Sequence, residues 1–250
     1  MANPILSEKV FREASVNTYE GTMTAKGTAI KSLVLIFMVL AGASYTWKVF
    51  SDTLNPALVT PWMWGGMIGG LITGLIINFK PKLAQYLSPV YAVLQGLFLG
   101  AISAIYNNAF SESAPGIVMN ATLLTIVTAL AMFLIYRSNI IKVDGRFARI
   151  ITVAIGAIMF YYIVSIILGL LGVNLTMLHN SSPLSIGISL VIVVVAAFSL
   201  LVDFEFITRA SQSGAPKYME WYGAFALMVT LIWLYLEILK LLAKVASRRE

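Results

Sequence analysis

Seven apolar runs, each bounded by polar or turn-forming residues, set the pattern of this chain. They are Ser32–Phe50, Trp62–Phe79, Pro89–Asn107, Ile117–Tyr136, Phe147–Leu171, Leu184–Ile207 and Tyr218–Ala243. At about 18 to 26 residues, each is near the ~20 that a helix needs to cross ~30 Å of hydrocarbon. The connections hold residues that stop helices: Pro56 and Pro61, Pro81, Pro115 and Gly116, Asp144 and Gly145, Ser181 to Pro183, and Ser213 to Pro216. The pattern predicts an all-α membrane protein with seven transmembrane helices. A cytoplasmic N-terminal tail would occupy residues 1–31, the transmembrane domain 32–243 and a basic C-terminal tail 244–250. No strong internal repeat is visible, so an inverted-repeat transporter gains no support.

Composition agrees. The 250 residues are 59% hydrophobic and only 11% charged, where a soluble domain carries about 25% charge. That leaves too little polar surface to cover a water-soluble body. The net charge of +6 suggests nucleic acid at first sight. The basic residues stand at the ends of the apolar runs, however, where lipid head groups and topology explain them and no nucleic acid is expected. The tail before Ser32 holds no apolar core after a basic start, so it is not expected to be a signal peptide, and the first apolar run is expected to stay in the mature protein.

Lys and Arg set the orientation. Lys9, Arg12, Lys26 and Lys31 precede the first run. On the same side fall Lys80 and Lys82, then Arg137, Lys142, Arg146 and Arg149, then Arg209 and Lys217. The opposite connections hold Lys48 alone. The N-terminus is therefore expected in the cytoplasm. Lys240, Lys244, Arg248 and Arg249 run against this rule if all seven runs span. The alternative is a last run that dips in and returns; seven full spans is the preferred reading. Trp47, Trp62, Trp64 and Trp221 fall at run ends, as an interfacial aromatic belt would.

Chemistry is scarce. With no cysteine, disulfides, thiolate metal sites and thiol catalysis are excluded. His179, the only histidine, is expected as an exposed residue of the fifth connection, and one His without Cys builds no common zinc site. HExxH and GxSxG are absent. The sequence suggests no enzyme and no resident cofactor.

Three acids stand out. Asp203 and Glu205, in FSLLVDFEFI, and Glu237, in LIWLYLEILKLL, are the acids set inside apolar runs. An ionisable group in hydrocarbon costs at least ~2.5 kcal/mol, so it usually faces a protein interior or a wet path. Asp203 and Glu205 are two residues apart and point to nearly opposite sides of a helix. Asp203 is expected to face inward and Glu205 to reach the interface. Glu237 is expected inside, with Lys240 three residues on, on the same helix face near the membrane edge, where it can snorkel or pair. In span two, WGGMIGGLITG places Gly65, Gly66, Gly69, Gly70 and Gly74 at four-residue spacings that let another backbone approach. In span three, Gln95, followed by Gly96 and Gly100, puts an amide in a buried run. It needs partners and would serve as interhelical glue or line a polar path.

At these residues the chain resembles the bacterial branch of the Bax inhibitor (YccA-type) family. The resemblance rests on SPVYAVLQGLFLGAIS in span three, LVDFEFI in span six, GAPKYMEWYGAFALMVTLIWLYLEILKLLA in span seven and TMTAKGTAIKS before span one. It implies a seven-helix bundle with the last helix central, in a bacterial inner membrane. It also implies a pH-sensitive calcium leak through two acids on the last two helices that share a proton. Glu237 matches the last-helix acid; Asp203 or Glu205 matches its partner. Asp203 and Glu237 would then be transient calcium ligands, calcium being cargo. The family's usual Glu beside the span-three glycine is Gln95 here, so a carboxylate role at that position is not carried over.

Two functions compete. In the first, the chain is a pH-gated cation leak channel or exchanger. In the second, it is a non-conducting regulator, surrounded by lipid, that docks on other membrane proteins such as a membrane protease. Straight helices, counted at ~1.5 Å per residue from the connection that joins the last two, hold Glu237 and Asp203 at different depths; the acids meet only if the last helix begins well inside the cytoplasm, as the polar segment Lys217–Trp221 allows, or if the helices tilt or shift.

Overall fold

A computed structural model describes residues 21–172 and 180–248. His179, the tail residues 1–20 with Lys9 and Arg12, and Arg249 lie outside the described residues. Among those described there are seven α-helices: α1 (Ala25–Thr53), α2 (Pro56–Phe79), α3 (Ala84–Ala109), α4 (Ile117–Arg137), α5 (Gly145–Leu170), α6 (Pro183–Gln212) and α7 (Met219–Ser247). A 3₁₀ turn over Pro81–Leu83 leads into α3. All seven are long and apolar enough to cross a membrane.

The helix ends are chemically marked. Thr24 caps α1, its side chain accepting from the Gly27 N–H. Leu54 ends that helix in the left-handed region. Asn55 caps α2, with Pro56 in the first turn, where a missing N–H costs nothing. Asp144, expected only as a turn residue, caps α5 by accepting from the Phe147 N–H at 2.7 Å.

Several helices outrun their apolar runs. α1 starts at Ala25 instead of Ser32, and α6 continues past Ile207 to Gln212. Pro61 and Pro89, expected as a stop and a span start, both lie inside helices. Each is within the second turn, where proline forfeits a single intrahelical bond. The last run does not dip and return: α7 is one unbroken helix of 29 residues, about 43 Å long.

Burial divides the helices. Across the most apolar 18 residues of each, α6 and α7 are 50% buried and the α3 segment 56%, against 11–17% for the other four. Residues such as Phe37, Leu71, Val127 and Phe160 are exposed on those four, as lipid-facing positions are.

The chain forms two compact units. One holds residues 21–109 and 206–229. In it α3 packs against α1 and α2 through glycine. A side chain at Gly66 would meet the Phe98 N at 2.8 Å, and one at Gly42 the Val93 O at 2.7 Å. Gly96 and Gly100 lie against the backbone of α1, at Val39 and Ala43. Gly69 faces Leu94 and Gly74 faces Tyr91. Gly65 does not share this role. It is exposed, and nothing lies within 4 Å of where its side chain would be. One residue from Gly66, it is turned about 100° around the helix and away from α3.

The other unit holds residues 110–172, 180–205 and 230–248. Its core joins Ile151 and Ile155 of α5 to Val202 of α6, with Phe147, Val195, Phe198 and Trp233 packed around them. Phe133 of α4 meets Phe204 of α6 edge-on, ring centres 5.7 Å apart.

Candidate functional site

Two hydrogen bonds fix how α6 and α7 run past each other in the second unit. Thr230 Oγ1 donates to Asp203 Oδ2 at 2.6 Å. Lys244 Nζ donates to Ser189 Oγ at 2.6 Å. The step from Ser189 to Asp203 and the step from Thr230 to Lys244 are both fourteen residues, so a single antiparallel register holds between them. Seven residues are two turns of helix and return to nearly the same face. Thr230, Glu237 and Lys244 therefore form one stripe on α7, facing Asp203, Ala196 and Ser189 on α6. The stripe is polar and lies among fully apolar neighbours, including Leu200, Leu201 and Leu234.

Both inward-facing acids are buried: Asp203 is 0% exposed and Glu237 2%. Glu237 Oε1 accepts from Tyr162 Oη of α5 at 2.9 Å and from Lys240 Nζ at 3.0 Å. The Lys240 ammonium also sits 5.0 Å from the centre of the Tyr162 ring, within cation–π range. Glu205 is half-buried on the other side of α6 and accepts from Tyr136 Oη of α4 at 3.0 Å. The opposite headings of Asp203 and Glu205 follow from their spacing of two.

The register separates the acids along the helix pair. Glu237 lies level with Ala196, two turns beyond the partner of Asp203. That is about 10.5 Å of helix rise. Each carboxylate has its own hydroxyl donor from a different helix: Thr230 of α7 for Asp203, Tyr162 of α5 for Glu237. Among the described residues no group of three or more His, Cys, Asp or Glu could hold a metal ion. Asp203 and Glu237 thus stand as two separate carboxylates along the stripe.

Gln95 and the remaining glycines belong to the first unit. Gln95 is 9% exposed, and its amide fills the space beside Gly70. Gly74, Tyr91 and Phe225 meet one turn away, the two rings edge-on at 4.8 Å.

The same unit holds a buried acid that does not stand out in the sequence. Glu220, in the first turn of α7, is 1% exposed. It accepts from the Thr24 N–H at 3.0 Å and the Thr24 hydroxyl at 2.9 Å. It also pairs with Lys217 at 2.7 Å and with Lys31. Lys31 lies 5.5 Å from the Trp221 ring centre. Gly27 leaves the room the carboxylate fills. Backbone bonds add to this clasp: Met23 N–H to Ala215 O at 2.7 Å and Lys217 N–H to Gly21 O at 3.1 Å. So TMTAKGTAIKS and GAPKYMEWYGAF, far apart in sequence, are two sides of one structure.

No curated protein and no solved structure matches the chain. The family model described as Bax inhibitor 1 like matches residues 3–247, which takes in all seven described helices, Asp203, Glu237 and the clasp around Glu220, and the chain belongs to that family.

Proposed function

We propose that this multi-pass membrane protein of the Bax inhibitor 1 like family passes a cation, calcium by the family resemblance, under the control of Asp203 and Glu237. The observation that carries the reading is the polar stripe: two fully buried carboxylates on one face of the α6–α7 pair, within helices long enough to span a bilayer. An ionised carboxylate offers oxygen ligands to a hard cation; a protonated one does not. Loading either acid with a proton therefore removes a station from the path. At Glu237 an entering cation competes with Lys240. At Asp203 it competes with the Thr230 hydroxyl. A proton moving between the acids travels two turns along the stripe.

The membrane is proposed to be the bacterial inner membrane, with the N-terminus in the cytoplasm. Neither catalytic chemistry nor a resident cofactor is part of the proposal.

The test is flux of calcium into liposomes carrying the purified chain, measured across pH. Wild type should show pH-dependent flux. Glu237→Gln and Asp203→Asn should each flatten that dependence. If the acids are coupled, the double variant adds little to either single change. If they act independently, the effects add.

The Glu237–Lys240 pair favours a second reading, in which the acids only hold helices together and the protein acts by docking on other membrane proteins. A chain that folds, reconstitutes and passes no cation at any pH decides for it.

A further inference from the structure

Lys240 and Glu237 form a lopsided ion pair. The Glu237 side chain is 2% exposed and the Lys240 side chain 41%. The lysine reaches out of the protein, and the acid lies behind it. Glu237 Oε1 accepts from Lys240 Nζ at 3.0 Å and from Tyr162 Oη at 2.9 Å. The Tyr162 ring adds its face to the same ammonium, 5.0 Å from the ring centre. A carboxylate and an aromatic face together make a seat for a cation. Here the chain fills that seat with its own side chain. Lys244, further along the stripe, donates to Ser189 Oγ on α6 at 2.6 Å.

A seat filled in this way admits cations unequally. A side chain three residues from its partner is attached beside it, so its effective concentration there is high. A free monovalent ion brings the same single charge as Lys240 and has no tether, so it competes poorly. A divalent ion has twice the Coulomb attraction to the carboxylate at equal distance, and a hard one gathers several oxygen ligands around itself. Lys240, on its flexible four-carbon stem and already half out of the protein, has room to swing aside.

We infer that Lys240 is a built-in counter-cation seated on Glu237, and that by holding this seat it keeps monovalent ions out and yields to divalent ones. The selectivity rests on the cation-passing function proposed above; the filled seat does not.

Two measurements test the two halves. In the first, the melting temperature of the full chain in detergent is followed against calcium chloride and against methylammonium chloride, a free copy of the lysine head. Wild type, with its seat filled, should respond weakly. Lys240→Ala leaves the buried carboxylate without its cation and should melt lower, and either salt should raise it back toward wild type. Lys240→Met keeps the bulk of the stem and should respond to calcium; Lys240→Arg should behave as wild type does. Adding Glu237→Gln to Lys240→Ala removes the seat and should abolish the response. In the second, carried out in liposomes, Lys240→Met should raise sodium flux relative to calcium flux roughly tenfold, the worth of one charge-assisted hydrogen bond in the competition. The inference falls if the Ala and Met variants respond to the salts no more than wild type, or respond as strongly without Glu237. An unchanged ratio of sodium to calcium flux overturns the selectivity. A wild type that passes no cation at any pH sinks the transport reading and the selectivity with it, while a melting response of Lys240→Ala that needs Glu237 still establishes the seat.

Discussion

At the scale of single residues, the hydroxyl that serves Asp203 matters as much as the acid. Thr230→Val keeps the shape and removes the donor. It should lower stability by about 1–3 kcal/mol, read as a lower melting temperature in detergent, while Thr230→Ser should hold most of it. The acids themselves were legible in the sequence, because a carboxylate within an apolar run has few places to go. Their partners were not. Ser44, Thr122, Thr125 and Thr152 all donate to the carbonyl four residues back in their own helix, the usual fate of a hydroxyl in an apolar helix. Nothing in the sequence marks Thr230 or Ser189 as one that bonds across to a neighbouring helix. Tyr162 is equally silent, one aromatic among several in α5. The spacing of seven from Thr230 to Glu237 and from Glu237 to Lys244 was present in the sequence. Its meaning depends on a facing helix with the same spacing, from Ser189 through Ala196 to Asp203.

At the scale of helices, the glycines of α2 form a face with a direction. Gly66→Leu would drive a side chain into the backbone of α3 at Leu94 and Phe98. It should cost about 3 kcal/mol, the upper range for overpacking, or prevent assembly outright. Gly65→Leu, one residue away, adds apolar surface toward lipid and should leave the melting temperature nearly unchanged. Equal damage from both would show that α2 packs on two sides. The small-residue spacing alone cannot separate these positions, because Gly65 and Gly66 each begin a four-residue series. The exposed residues around Gly65, Trp64 and Ile68 among them, mark Gly65 as the glycine turned away from α3. Helix number and order were readable because hydrocarbon thickness imposes a length on each apolar run. Helix ends were not, because the polar turns at both ends continue as helix into water and are capped there, as at Thr24 and Asp144.

At the scale of the molecule, orientation follows the basic residues of the connections. A reporter fused after Lys142 should mark the cytoplasm and one after Ser181 the opposite side. With α7 unbroken, a C-terminal reporter should also mark the opposite side. The reverse pattern at the first two would overturn the orientation. Lys240 and Lys244 run against that rule, but each has a partner within the protein, Lys240 in Glu237 one turn back and Lys244 in Ser189 across on α6. The clasp at Glu220 was invisible for a different reason: nearly two hundred residues separate Thr24 from Glu220, and nothing in either motif names the other. The shared register of α6 and α7 also bears on how the chain is made. A lone α6 leaving the insertion machinery would present Asp203 to lipid, and a lone α7 would present Glu237 and two lysines. Each such group costs about 2.5–3.5 kcal/mol at mid-membrane. Joined by a short turn, the two helices supply partners for Asp203 and Lys244 from one another, while Lys240 of the same helix and Tyr162 of α5 serve Glu237. The last stage of biosynthesis is then best made as one event, with the C-terminal hairpin entering lipid whole and α6 waiting in the aqueous channel until α7 has been translated.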